Sequence, residues 1–283
     1  MGKANKVKFE LRDAIEMVYL IQVLKDIADN KFFMLLSDKE KFRRFGETFV
    51  EFFRMISLTR TKHFLMSNDC KKVAILVITI EGSFLGKFNN KILRAAVKVK
   101  DRYEDFEFIA VGNKAIDRLK AYTPDLKMFS GMESKGMYNM AVEIKDYLVD
   151  RIMKGEIGKV VVVYCWSKSF DSQKARVIPL LPCEDLVSKQ TEFVDAFENV
   201  IEESDSKDII GYLANLWVTV RLHEIFIDSN IASAAALAAF LDDSVDKMKK
   251  EQAKTAIKYR KVKKSDIDKS LRETFSARMM SMK

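Results

Sequence analysis

Helix breakers are missing from both ends of this chain. After Gly211, 72 residues run to Lys283 with no glycine and no proline. The first 81 residues hold only Gly2 and Gly46, and seven of the ten glycines fall between Gly82 and Gly158. The three prolines are Pro124, Pro179 and Pro182. An ordinary domain carries about 7% glycine and about 5% proline. Segments this bare predict long helices at both termini around a compact middle. Gly46 and the cap-forming pair Ser37–Asp38 predict a kink or short break in the first of them.

Pattern supports the same division. From Glu10 to Leu36 apolar residues recur at helical spacing, at Leu11, Ile15, Val18, Leu24, Ile27, Phe32 and Leu35. Phe42, Phe45, Phe49, Phe52 and Phe53 continue the pattern. Near the other end, Ile231–Phe240 reads IASAAALAAF. Alanine is the best helix former, and its small side chain lets two helix axes approach closely. A helix from Leu213 to Leu271 would be roughly 90 Å long at 1.5 Å per residue. No small domain buries such a helix, so it needs a partner. The first helix is the obvious one, with Ile231–Phe240 packed near Val18–Ala28. The heptads are imperfect, which disfavours a leucine-zipper homodimer.

The middle reads as an α/β unit. Val73–Ile80 (VAILVITI), Phe106–Val111 (FEFIAV) and Val160–Tyr164 (VVVVY) are apolar runs without alternation, as strands covered on both faces require. Helical patterns at 91–100, 115–121 and 140–154 separate them, and Arg176–Leu181 offers a further strand. The expected fold is a long antiparallel coiled coil of the terminal helices plus a small central α/β, Rossmann-like domain. Its parts are an N-terminal arm over 1–66, the α/β domain over 67–211 and the long C-terminal helix over 212–283. Pro182 opens a polar, acidic stretch that reaches Asp208, expected to hold a helix and a loop.

Charge follows these boundaries. Residues 1–66 carry 13 basic and 9 acidic side chains, residues 67–211 carry 22 and 23, and residues 212–283 carry 14 and 9. The excess peaks over Lys247–Lys264, where nine cations face Glu251 alone. The residues leave three readings of that stretch open: a solvated helix face, a surface for an acidic protein, and a nucleic-acid contact. Aromatic interleaving is limited to Tyr259, which weakens the last.

Composition and motifs argue against catalysis. Histidine occurs only at 63 and 223, and Cys70, Cys165 and Cys183 lack metal-ligand spacing, the pattern of a reduced cytosolic chain. The N-terminal MGKANKVKFELRD is charged where a signal peptide needs an apolar core, and no 18-residue stretch is free of charge. Gly82-Ser-Phe-Leu-Gly86-Lys87 follows a strand as a phosphate loop would. It has three residues between its glycines where a phosphate loop has four, and Phe88 stands where magnesium needs a hydroxyl. A strand-to-helix turn is the better reading. The carboxylate pairs Glu104–Asp105, Glu184–Asp185 and Glu202–Glu203 have neither a histidine nor a nucleophile beside them in sequence. No cofactor, metal or nucleotide is expected.

Several short segments, in order, resemble the gamma subunit of rotary F-type ATPases. Val77–Asn89 (VITIEGSFLGKFN) is similar to that family's T-S-D-x-G-L-C-G-x-F-N, with Thr79, Gly86, Phe88 and Asn89 matching and Glu81 in place of Asp. Leu93-Arg94-Ala95-Ala96, Phe108–Lys114, Gly155-Glu156, Val161–Tyr164, Ser172-Gln173 and Leu180–Pro182 follow in the family's order. Tyr259-Arg260-Lys261 resembles Y-N-R, and Ile267–Glu273 resembles the terminal I-T-x-E-L-x-E. The chain departs from the family in the alanine-rich Ser233–Leu241, in Ile21–Lys25 and in Phe84-Leu85.

The resemblance implies a non-catalytic rotor shaft that couples ATP hydrolysis or synthesis in a hexamer of alpha and beta subunits to rotation. An epsilon-like subunit and a membrane ring are further implied partners, on the cytoplasmic face of a membrane. The residues expected at the hexamer are Ile231, Ala235, Lys250, Lys254, Lys258, Arg260, Lys261, Lys264, Ile267 and Leu271. A coiled-coil scaffold joining an ATPase to other machinery, and a helical nucleic-acid-binding protein, are the alternatives.

Overall fold

The computed structural model describes residues 3–57, 63–81, 86–130, 136–170, 172–183 and 205–281. The phosphate-loop-like turn at 82–85 and most of the acidic stretch after Pro182 lie outside the described residues, as do the side chains of Phe42, Phe45, Phe49, Phe52 and Phe53. Helix α1 spans Lys3–Ser57 without interruption, so the expected break at Ser37–Asp38 does not occur. Phe32 and Leu35 are buried just before that point, and Lys39 is ion-paired to Asp228 just after it. Packing on both sides outweighs a propensity cost of about 0.5 kcal/mol for each of Ser and Asp.

The α/β part forms where the apolar runs fall. Strand β1 is Val73–Ile78, buried throughout. Helix α2 is Gly86–Lys100 and β2 is Phe106–Val111. A 3₁₀ turn at Asn113–Ala115 leads into α3, Ile116–Leu119, in place of the longer helix expected at 115–121. Strand β3 is Lys127–Phe129, three residues with two exposed, too short and too polar to register as an apolar run. Helix α4 is Met137–Met153, β4 is Lys159–Ser169 and β5 is Ser172–Leu181. Helix α5 runs from Ser206 to Ser281, longer at both ends than expected.

The sheet order is β3-β2-β1-β4-β5. All neighbours are parallel except β4 and β5, which form an antiparallel hairpin. Val73–Ile78 and Val160–Val163 are therefore adjacent buried strands, as the two valine-rich runs implied. Parallel strands joined through helices demand cover on both faces. Helix α2 supplies one cover, against β1, β4 and β5. Met140, Ile144, Leu148 and Ile152 of α4 belong to the core that contains Leu76, Ile109 and Val162.

Residues behind the family resemblance prove to be the joints of this sheet. Thr79 is fully buried, and its hydroxyl donates to the Val111 carbonyl at 3.0 Å. The Asn89 side chain accepts from the Ile80 amide at 3.1 Å and donates to the Ile80 carbonyl at 2.7 Å. It thereby ties the exit of β1 to α2. Gly112 sits at φ 87°, and a Cβ there would lie 2.5 Å from the Thr79 carbonyl oxygen. Only glycine fits that approach.

The chain divides into two compact units. One joins Met1–Asn30 of the first helical segment with Leu237–Lys283, and the other is Lys31–Ala236 with the sheet. Helix α5 contains a stretch long and apolar enough to cross a membrane, but 67% of that stretch is buried inside the chain, as in a core helix.

Candidate functional site

Within the first unit, burial follows a seven-residue repeat on both helices. On α1 the covered positions include Val7, Leu11, Ala14, Val18, Ile21, Lys25 and Ala28, alternately four and three residues apart. On α5 they include Ala238, Leu241, Val245, Met248, Gln252, Thr255, Tyr259 and Val262, on the same alternation. Such spacing is the seam of a coiled coil. The seam holds lysine, glutamine and threonine as well as aliphatic residues, so a search for leucine heptads sees it only in part. Lys258 pairs with Glu10 at 3.0 Å and Lys25 with Asp242 at 3.4 Å, which makes the two helices antiparallel. The Asp242 carboxylate, with Asp29 adding to it, raises the Lys25 ammonium above its ordinary value.

The pairing corrects one expectation. Val18–Ala28 shares its unit with the chain from Leu237 onward, not with the whole of Ile231–Phe240. The first half of the alanine run, Ile231 and Ala234–Ala235, lies in the core cluster that contains Phe32 and Leu35. Ile231 is 4% exposed and Ala235 is 0% exposed. Both are core residues of this chain.

The other expected contacts lie at the surface. Lys250, Lys254, Lys258, Arg260, Lys261 and Lys264 are all exposed. Lys254 also meets Glu251 at 2.7 Å, one turn back along the helix. From Lys263 to Met280 every residue of α5 is exposed. Ile267, Leu271, Phe275 and Met279 stand four residues apart along this stretch, Ile267 at 51% and Phe275 at 66% exposure. Residues four apart share one helix face, so this is an apolar stripe among cations.

A second exposed stripe lies on α1, of which the sequence pattern picked out only Leu24 and Ile27. Met17, Leu20, Leu24 and Ile27 on α1 are all substantially exposed. Each precedes a seam residue by one, so the stripe flanks the seam on one side. The signal was present as a second seven-residue spacing, one position out of phase with the first.

The second unit carries a concavity of about 660 Å³, lined by Phe106, Tyr122, Tyr147 and a charge network. Burial alone would push the Glu107 carboxyl up, but hydrogen bonds from Arg151 and Lys72 outweigh it and hold the carboxyl below its ordinary value. Arg151 also donates to Glu156 at 2.7 Å and to the Tyr147 hydroxyl at 3.2 Å. Every charge of this cluster is spent on another, which makes it a structural brace. On β4, burial pushes the Cys165 thiol up to about 12, the behaviour of an inert core cysteine. Among the described residues, no three of His, Cys, Asp and Glu come together as metal ligands do.

A family model described as ATP synthase matches residues 16–278. The chain belongs to the ATP synthase gamma-chain family. It is 26% identical to the gamma chain of Desulforudis audaxviator over 189 residues, which cover 63% of this chain and 64% of that one, slightly less than two thirds of the relative's length. With the gamma chain of Desulfotalea psychrophila it shares 20% identity over 279 residues, 96% of each chain. Its fold is similar to a chain in the central stalk and c-ring of Tetrahymena thermophila mitochondrial ATP synthase. That match has a TM-score of 0.60 at 17% identity, over 80% of this chain and 99% of that one. The gamma-family resemblance therefore rests on nearly the whole chain.

Proposed function

We propose that this chain is the non-catalytic central-stalk subunit of an F-type or F-type-like ATPase, turning inside a hexamer of alpha and beta subunits. Hydrolysis or synthesis of ATP takes place in the hexamer, and this chain couples it to rotation. The observation that carries the reading is the end of α5. An α-helix exposed on every side over Lys263–Met280, with an apolar stripe on it, has no reason to be helical alone in water. A surrounding ring of subunits supplies the missing cover. Ile267 and Leu271 then meet apolar walls, and the cations from Lys250 to Lys264 face acidic ones. The α/β unit stands outside the hexamer, where an epsilon-like subunit and a membrane ring adjoin it. The complex is peripheral to a membrane, on its cytoplasmic face.

The test is reconstitution of the chain with its own alpha and beta subunits, with a bead attached to the α/β unit. Stepwise rotation driven by ATP supports the reading. A stable complex that hydrolyses ATP while the bead stays fixed favours the scaffold alternative.

A further inference from the structure

Two of the ion pairs between α1 and α5 repeat at one interval. Lys25 pairs with Asp242 inside the first unit, and Lys39 pairs with Asp228 inside the second. The lysines are fourteen residues apart and so are the aspartates, which is two seven-residue repeats on each helix. Both lysines fall on the buried spacing of α1, Lys25 between Ile21 and Ala28, Lys39 seven residues beyond Phe32. Lysine in such a position is costly, since an aliphatic residue would bury more apolar surface. Asp228 is itself largely buried, with its side chain 12% exposed.

Ala234, Ala235 and Ala238 are small knobs of equal size, so where they lie packing alone fixes alignment weakly. The pattern of charge removes that freedom. Sliding seven residues one way sets Lys25 opposite Ala235 and Lys39 opposite Arg221. Sliding seven the other way sets Lys25 opposite Lys249 and Lys39 opposite Ala235. In either case one lysine loses its partner across the seam, Lys25 keeping only Asp29 of its own helix, and the other faces a cation. We infer that Lys25 and Lys39 are a register lock, placed to forbid one-repeat sliding of α1 along α5. The inference does not depend on the rotor reading, although a shaft under load needs such a lock.

Engineered disulfides in the full chain read the register directly. With Cys70 changed to Ser and Cys165 and Cys183 to Ala, Ala28→Cys is combined with Ala238→Cys for the native register or with Val245→Cys for the slid one. In the parent the native pair should oxidise at least tenfold faster than the slid pair. In the double variant Lys25→Met, Lys39→Met that preference should fall about tenfold or more, while helicity and melting temperature hold or rise. A preference unchanged within about twofold overturns the lock. So does a drop in melting temperature with the preference intact, because that is the signature of a merely structural pair. A second arm uses charge exchange. Lys25→Asp alone should lower the preference, and Lys25→Asp with Asp242→Lys should restore it. Failure of the exchange to restore it also overturns the proposal.

Discussion

Glu107 is a carboxylate between two cations, with only 13% of its side chain exposed. Changing it to glutamine leaves Lys72 without its anion and Arg151 with Glu156 alone, at a cost of about 2–3 kcal/mol. The pH dependence has a definite sign. The folded carboxyl titrates below the unfolded one, so its contribution is complete at neutral pH and declines as pH falls below the ordinary glutamate value of 4.5. Urea midpoints measured down the acid limb should therefore fall less steeply in Glu107→Gln than in the parent. Equal slopes would show that the network contributes nothing pH-dependent. None of this was legible in the sequence. Glu107 lies in the run FEFIAV, and its partners Lys72 and Arg151 are 35 and 44 residues away, brought together only when β1, β2 and α4 assemble.

Among the elements, the strands and α2 were readable because each is a continuous apolar or periodic run whose burial is local. Helix ends and β3 were not, because their limits depend on what packs against them. Helix α1 passes through Ser37–Asp38 for that reason: neighbours on α5 override two weak local preferences. The seam was half legible. Leu11, Val18 and Val245 show in any hydropathy pattern, but Lys25, Gln252 and Thr255 look like surface residues until their spacing is counted. Ala235 is fully buried within the core that holds Phe32 and Leu35. Ala235→Trp has no space to enter, and overpacking should lower stability by about 1–3 kcal/mol. Thermal melting checks this, and a variant that melts with the parent would mean that α5 is displaced from that core.

Two predictions concern the whole molecule. Ending the chain after Val262 removes, among the described residues, only exposed side chains, so thermal unfolding of the isolated protein should be unchanged. Its assembly with alpha and beta subunits should weaken by at least tenfold, measured by titration of labelled protein into the hexamer. Changing Lys250, Lys254, Lys261 and Lys264 together to glutamine should likewise spare the fold. It should weaken assembly more at low salt than at high, because exposed charges are screened beyond about 8 Å at physiological ionic strength. An assembly constant indifferent to both changes would leave this end of α5 as a plain solvated surface.

The seven-residue seam of the first unit has a mechanical corollary. A straight α-helix repeats every 3.6 residues, and contacts spaced at 3.5 are kept only if the two strands wind about each other in a left-handed sense. A two-ply cord laid in one hand answers unequally to twist. Turned with its lay it tightens and presses its seam together; turned against its lay it opens, and the burden passes from packing to the crosslinks between plies. In this pair those crosslinks are Lys25 with Asp242 and Lys258 with Glu10. The drive that such a helix pair carries best is therefore the one whose sense agrees with its own winding.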